Sequence, residues 1–172
     1  MIGLRSYLHG SVLFVAGVVA GGVMMQPTAA QENIKTGLRL NHVGIAVKDY
    51  QESVNFYTKV MGFRVAFGGQ PGADGKPGTV YLQINRDTFL ELASATDKVP
   101  VGITHIGIQA EDEDATVKRL RAGGATVADP RISPALSKSK LANLNDPNGI
   151  RLELNEAIPG SETRRAIDSW KE

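Results

Sequence analysis

Four residues of the 172-residue sequence combine reactive chemistry with a regular spacing: His42, Glu91, His105 and Glu153. His42 lies in Leu40-Asn-His-Val-Gly-Ile-Ala-Val47 and His105 in Ile103-Thr-His-Ile-Gly-Ile-Gln-Ala110. Aligned on their histidines, both read His-Val/Ile-Gly-Ile, which is an internal repeat. Each copy leads into an acidic, helix-like segment and then into strands bearing Leu90-Glu-Leu92 or Leu152-Glu-Leu154. Strand alternation sends Val43, Ile45 and Val47 to the face opposite His42, and Ile106 and Ile108 to the face opposite His105. It likewise sends the leucines away from Glu91 and Glu153. One such strand residue ordinarily meets solvent or a hydrogen-bond partner. Four of them, all of types that ligate metals or carry protons, point to a site.

Local signals define the elements that must position these groups. The first strand spans 38–47. Asp49 caps a helix, with Glu52 completing a capping box, and Val54, Phe56, Tyr57 and Val60 form its buried stripe until Gly62 ends it. A strand over 63–67 precedes a loop, 68–78, with five glycines and two prolines, too broken for regular structure. Strands over 79–84 and 88–93 complete a β-α-β-β-β module. The second module repeats the order: a strand over 102–110, then a helix opened by Glu111-Asp-Glu-Asp114 with Val117 and Leu120 inward and Gly123-Gly124 as its stop. Strands follow over 126–128, 141–145 and 150–155, with an irregular segment at 129–139 and a turn at Asp146-Pro-Asn-Gly149. Tyr81, Gln83, Arg151 and Asn155 are expected to share the cleft with the four site residues. The tail, 157–172, carries a short helix from Ser161 and has no assigned role.

Composition excludes several classes. Hydrophobic content of 42% and charged content of 22% describe a folded domain. Without Arg5, basic and acidic residues are equal in number, and no basic run forms a nucleic-acid footprint. The absence of cysteine rules out disulfides and thiolate metal sites. At the N-terminus, Arg5 precedes an uncharged run, Ser11 to Met25, and Pro27-Thr-Ala-Ala30 offers a cleavage site. That layout predicts a signal peptide over 1–30 and a leader over 31–37, hence a periplasmic or secreted protein not inserted in the membrane after cleavage. An uncleaved anchor is the alternative.

The segments His42-Val-Gly-Ile-Ala-Val47, Ser53-Val-Asn-Phe-Tyr-Thr-Lys-Val-Met-Gly-Phe63, His105-Ile-Gly-Ile108 and Asp146-Pro-Asn-Gly-Ile-Arg-Leu-Glu-Leu154 resemble the vicinal oxygen chelate superfamily. That superfamily holds glyoxalase I, methylmalonyl-CoA epimerase, extradiol dioxygenases and the fosfomycin and bleomycin resistance proteins. The resemblance implies an α+β fold over 38–156, with modules 38–94 and 102–156 curling mixed sheets around a shared cleft. It implies that His42, Glu91, His105 and Glu153 hold a divalent ion (Zn, Ni, Co, Mn or Fe). It implies a small-molecule substrate, and a homodimer whose modules pair within a chain or between chains. A carboxylate at Glu91 is the mark of the isomerases rather than the dioxygenases. The expected function is therefore metal-assisted proton transfer of the glyoxalase type, with Glu153 or Glu91 as base. A metal-dependent dioxygenase and a non-catalytic binding protein are the alternatives.

Overall fold

Alternating apolar and polar residues give each strand one side to bury, and one curled, open sheet results. The computed structural model describes residues 36–72, 74–134 and 136–171; the expected signal peptide and nearly all of the leader lie outside the described residues. The strands are β1 Arg39–Val47, β2 Arg64–Gly68, β3 Val80–Asn85, β4 Thr88–Ser94, β5 Gly102–Gln109, β6 Arg131–Ile132, β7 Lys140–Asn145 and β8 Arg151–Glu156. Their order in the sheet is β2-β3-β4-β1-β5-β8-β7-β6, a palindrome of two modules. Within each module the first and last strands run parallel, and β1 meets β5 antiparallel at the seam. The modules therefore pair within one chain.

Helices cover the convex face. Asp49 caps α1 (Tyr50–Asn55), its carboxylate accepting from the N–H of Glu52 at 2.8 Å, and a π-helical turn, Phe56–Val60, follows. Asp112 caps α2 (Glu113–Ala122) by accepting from the N–H of Ala115 at 2.9 Å. Each such cap is worth about 1 kcal/mol. Under α1, Val47, Val80, Leu82, Leu90 and Leu92 pack with Val54, Tyr57 and Phe63. Under α2, Val117, Val127, Ala142 and Leu154 pack with Ile108 and Leu120. These layers bury the apolar alternates of β1, β4, β5 and β8, at about 2 kcal/mol for each fully buried leucine. The histidines and glutamates are left to the concave face.

The sixth strand differs from expectation. Residues 126–128 make only an isolated bridge, Val127 to Leu144, and the ladder forms at Arg131–Ile132 against Lys140 and Leu141. Pro130 has no N–H to donate and interrupts the run between them. Part of the segment expected to be irregular is thus strand.

The tail acquires a place. Helix α3 (Glu162–Asp168), capped by Ser161, lays Ala166 and Ile167 on Tyr81 and Phe89, on the concave side of the first module. Arg64 ties it down through Gln83 and the carbonyls of Ala166 and Ser169, and lies over the Trp170 ring. Gln83, expected in the cleft, is instead buried beneath this helix, donating to the Ala166 carbonyl at 3.2 Å.

Where α2 meets β8, Glu113 and Glu156 each accept the other's backbone N–H, at 3.1 and 3.0 Å. Burial pushes the Glu113 carboxyl up to about 8, against the pull of the Glu156 N–H and Lys140. The folded chain holds a proton that the unfolded chain releases. This group's stabilisation is full below the ordinary carboxylate pKa and is lost as pH rises through about 8. Urea midpoints of the protein should fall between about pH 5 and about pH 9, and less steeply in Glu113→Gln. Equal slopes would contradict this reading of Glu113.

Candidate metal centre

The seam between β1 and β5 builds the site. Its register pairs His42 with Gly107 and Gly44 with His105, so each imidazole lies over the glycine of the other repeat. A Cβ on Gly107 would stand 2.1 Å from Nδ1 of His42, and one on Gly44 would stand 2.2 Å from Cε1 of His105. The His-x-Gly spacing of the repeat is thereby explained: each copy supplies one ring and the floor for the other.

Two bulges fix the rings. The register slips at Asn41, between Leu40 and His42, and again opposite Thr104, between Gly44 and Ile45. A bulge adds one residue and re-aims the next side chain. Here it brings the residue before each histidine to the same side as the histidine. Asn41 Nδ2 donates to Gln109 at 3.2 Å, so its Oδ1 faces His42 Nδ1 at 2.7 Å as acceptor. His42 therefore carries its proton on Nδ1 and turns the Nε2 lone pair into the cleft. Burial, with His105 and Arg151 adding to it against the pull of Glu91, lowers the His42 pKa to about 4, so the ring is neutral at ordinary pH. Thr104 Oγ1 meets His105 Nδ1 at 2.9 Å and, as a hydroxyl, can accept or donate there.

Three of the four expected site residues converge. His42 Nε2 and His105 Nε2 are 2.8 Å apart, and each is 3.4 Å from Glu91 Oε2. Ligand atoms ~2.1 Å from a shared centre are ~3.0–3.4 Å apart at right-angled to tetrahedral geometry. His42, Glu91 and His105 thus form a group that could hold a divalent ion. Two opposed lone pairs at 2.8 Å would repel, so without a cation His105 must keep its proton on Nε2 and donate it to His42. With His105 Nε2 free to ligate an ion, its proton would lie on Nδ1 and the Thr104 hydroxyl would accept it. Two imidazoles and a carboxylate on such a pivot fit the expected cofactor.

Glu153 stands apart from the three. Its Oε1 is 3.7 Å from His42 Nε2, while Oε2 accepts from Arg151 Nη2 at 3.1 Å. The carboxylates are tuned in opposite directions. Burial favours a proton on Glu91, yet the imidazoles and the Tyr81 hydroxyl, donating at 2.6 Å, hold its pKa below the usual value. Burial, reinforced by Glu91, raises that of Glu153 against the pull of His105, Arg151 and Arg131. Both glutamates line a cavity of about 320 Å³ with Tyr81, His105 and Arg151. Asn155 is wholly buried behind it rather than lining it. Asn41 and Thr104 were missed by the sequence reading; their signal is a polar residue directly before each repeated histidine.

A profile of the Glyoxalase/Bleomycin resistance protein/Dioxygenase superfamily matches residues 39–154. The chain belongs to this superfamily. The mitochondrial methylmalonyl-CoA epimerase of Dictyostelium discoideum is 29% identical over 132 residues, which cover 69% of this chain and 78% of that protein. The lactoylglutathione lyase of Escherichia coli O157:H7 is 25% identical over 126 residues, 69% of this chain and 93% of its own. Among solved structures, a Streptomyces coelicolor methylmalonyl-CoA epimerase in complex with 2-nitronate-propionyl-CoA superposes with a TM-score of 0.57 at 25% identity, over 72% of this chain and 96% of that one. With epimerases and lyases as its relatives, the chain is a glyoxalase-superfamily enzyme.

Gly44→Ala and Gly107→Ala should each displace a ring and weaken ion uptake, measured by titration of ion-free protein with Zn or Co, by about 10–100-fold or more. Undiminished affinity in both would contradict the seam as the binding place. Thr104→Val keeps the side-chain shape but removes the hydroxyl. It should leave the fold intact and lower ion affinity by about 10–100-fold, with changed ring-nitrogen NMR shifts confined to His105. Unaltered shifts would show that Thr104 does not set that ring.

Proposed function

We propose that this protein is a metal-dependent isomerase or lyase that moves a proton on a small oxygenated substrate, with Glu153 as the base. The carrying observation is geometric: His42, Glu91 and His105 converge as a possible ion site, while Glu153 lines the same cavity with its Oε1 3.7 Å from His42 Nε2. Glu91 is held ionised beside both imidazoles, as a ligand should be. Glu153 stands outside that group with a raised proton affinity, as a base should be; environments that push paired groups apart commonly assign such roles. Kinship to a methylmalonyl-CoA epimerase and to lactoylglutathione lyases supports the reaction class.

A divalent ion bound by His42, Glu91 and His105 would supply positive charge to the substrate's oxygens and so acidify the neighbouring C–H. Glu153 accepts that proton on Oε1, the oxygen turned toward His42, while Arg151 fixes the orientation of the carboxylate through Oε2. Tyr81, stacked on Phe67 and bonded to Glu91, keeps that ligand aligned and closes one side of the cavity. The tail helix packs behind Tyr81 and helps to exclude water. The N-terminal leader supports action outside the cytoplasm, and we infer export on that basis.

Glu153→Gln should keep ion binding, because the three converging ligands are untouched, and should lose turnover by about 10²–10⁴-fold. Solvent deuterium should enter product at the abstracted carbon in the unmutated enzyme. Oxygen consumption during turnover, or full activity of Glu153→Gln, would overturn the proposal; the first result would favour a dioxygenase.

A further inference from the structure

The cavity beside the two carboxylates is built asymmetrically, and its far wall contains chemistry that proton transfer leaves unused. That wall is the strap between β6 and β7. Register places Arg131 beside Leu141, and Leu141 beside Asn155, on the face of the sheet that carries Glu153. Arg131 lines the cavity, and its guanidinium has no hydrogen-bond or ion-pair partner among the described residues; its charge acts on Glu153 from a distance. Ser133 and Ser137, both buried, line the same wall. The Ser133 N–H is taken by the Ser139 carbonyl at 2.8 Å, while its hydroxyl makes no bond among the described residues. A guanidinium and two hydroxyls facing one small space are the donors that recognise a carboxylate. Leu136 and Leu141 supply apolar lining to the same cavity.

The strap is held in shape. Ser139 Oγ donates to Thr163 at 3.0 Å, and the Ser137 carbonyl accepts from the N–H of Glu162 at 2.8 Å, so helix α3 braces the wall. Preformed donors bind without an ordering cost. Charge points the same way. Arg131 and Arg151 balance Glu91 and Glu153 within the cavity, so a divalent ion would leave it positive. At about 320 Å³ it lies at the small end of ligand pockets and admits only a short molecule.

We infer that the substrate is a small oxygenated acid whose carboxylate, remote from the oxygen that meets the ion, is received by Arg131 with Ser133 and Ser137. This rests on the proposed metal-dependent reading and names its substrate class. A dicarboxylate bearing a hydroxyl or oxo group at one end has the required layout. A larger conjugate must keep its bulk outside the cavity.

The probes are malate and 2-hydroxyglutarate, each compared with the derivative in which the carboxyl remote from the hydroxyl is an amide. Ion uptake is measured first in the wild type, Arg131→Ala and Arg131→Lys; because Arg131 touches none of the converging ligands, all three should take up the ion equally. Calorimetric titration of the loaded proteins should then show at least one acid binding about 10–100-fold tighter than its amide, as bonds to a charged donor imply. That preference should vanish in Arg131→Ala and return in part in Arg131→Lys. Equal binding of acid and amide, a preference that survives Arg131→Ala, or no binding by any acid overturns the inference. Failure of the wild type to take up an ion overturns the metal reading instead, and the two failures are read separately.

Discussion

The antiparallel register of β1 on β5 is the constraint on which the site depends. It sets His42 over Gly107 and His105 over Gly44, and it brings two nitrogens 63 positions apart in sequence to within 2.8 Å. A slip of one residue would send the slipped strand's ring to the convex side, among the leucines and valines that the helices cover, and part it from the other ring. The packing that drives sheet formation therefore also selects the arrangement of polar groups. Apolar burial on the convex face holds in place a concave face that would not hold itself.

The cost of that concave face is visible in its hydrogen bonds. His42, Glu91, His105 and Glu153 are buried or nearly so, and each draws a partner from within ten residues of itself: Asn41, Tyr81, Thr104 and Arg151. Buried polar groups without partners cost roughly 1–3 kcal/mol each, so this outer ring is a condition for folding as well as for chemistry. The ring also breaks the symmetry of the repeat. Tyr81 donates from a neutral hydroxyl and Arg151 from a cation, yet burial and the nearby Glu91 charge raise Glu153 despite that cation, while the imidazoles and Tyr81 hold Glu91 low.

Much of this was legible in the sequence because it lives in short-range patterns. Strand alternation placed the histidines and glutamates on one face. Asp49, the acidic opening of the second helix and Ser161 announced helix starts, and Asp146-Pro-Asn-Gly149 announced its turn. What escaped depends on register. Asn41 and Thr104 violate alternation at bulges, which a period-two pattern cannot anticipate. The sixth strand formed past Pro130 because pairing with β7, not local propensity, decides so short a ladder. The bond from Arg151 to Glu153 Oε2 is likewise a matter of geometry that the repeat alone does not announce. The tail showed no sign that its helix would pack on Tyr81 and Phe89, because two alanines and an isoleucine carry no address.

That tail and the strap it braces have a consequence for how such a chain can evolve. The groups that would grip an ion come from β1, β4 and β5. The wall that would read the rest of a substrate comes from Arg131, Ser133 and Ser137, next to the Ser139–Thr163 bond to α3. No hydrogen bond joins these two sets among the described residues. Mutations in the strap or the chain end can therefore reshape what enters the cavity while leaving the seam untouched. The repeated seam carries the reactive half of the site, while the strap and the chain end carry the half open to change.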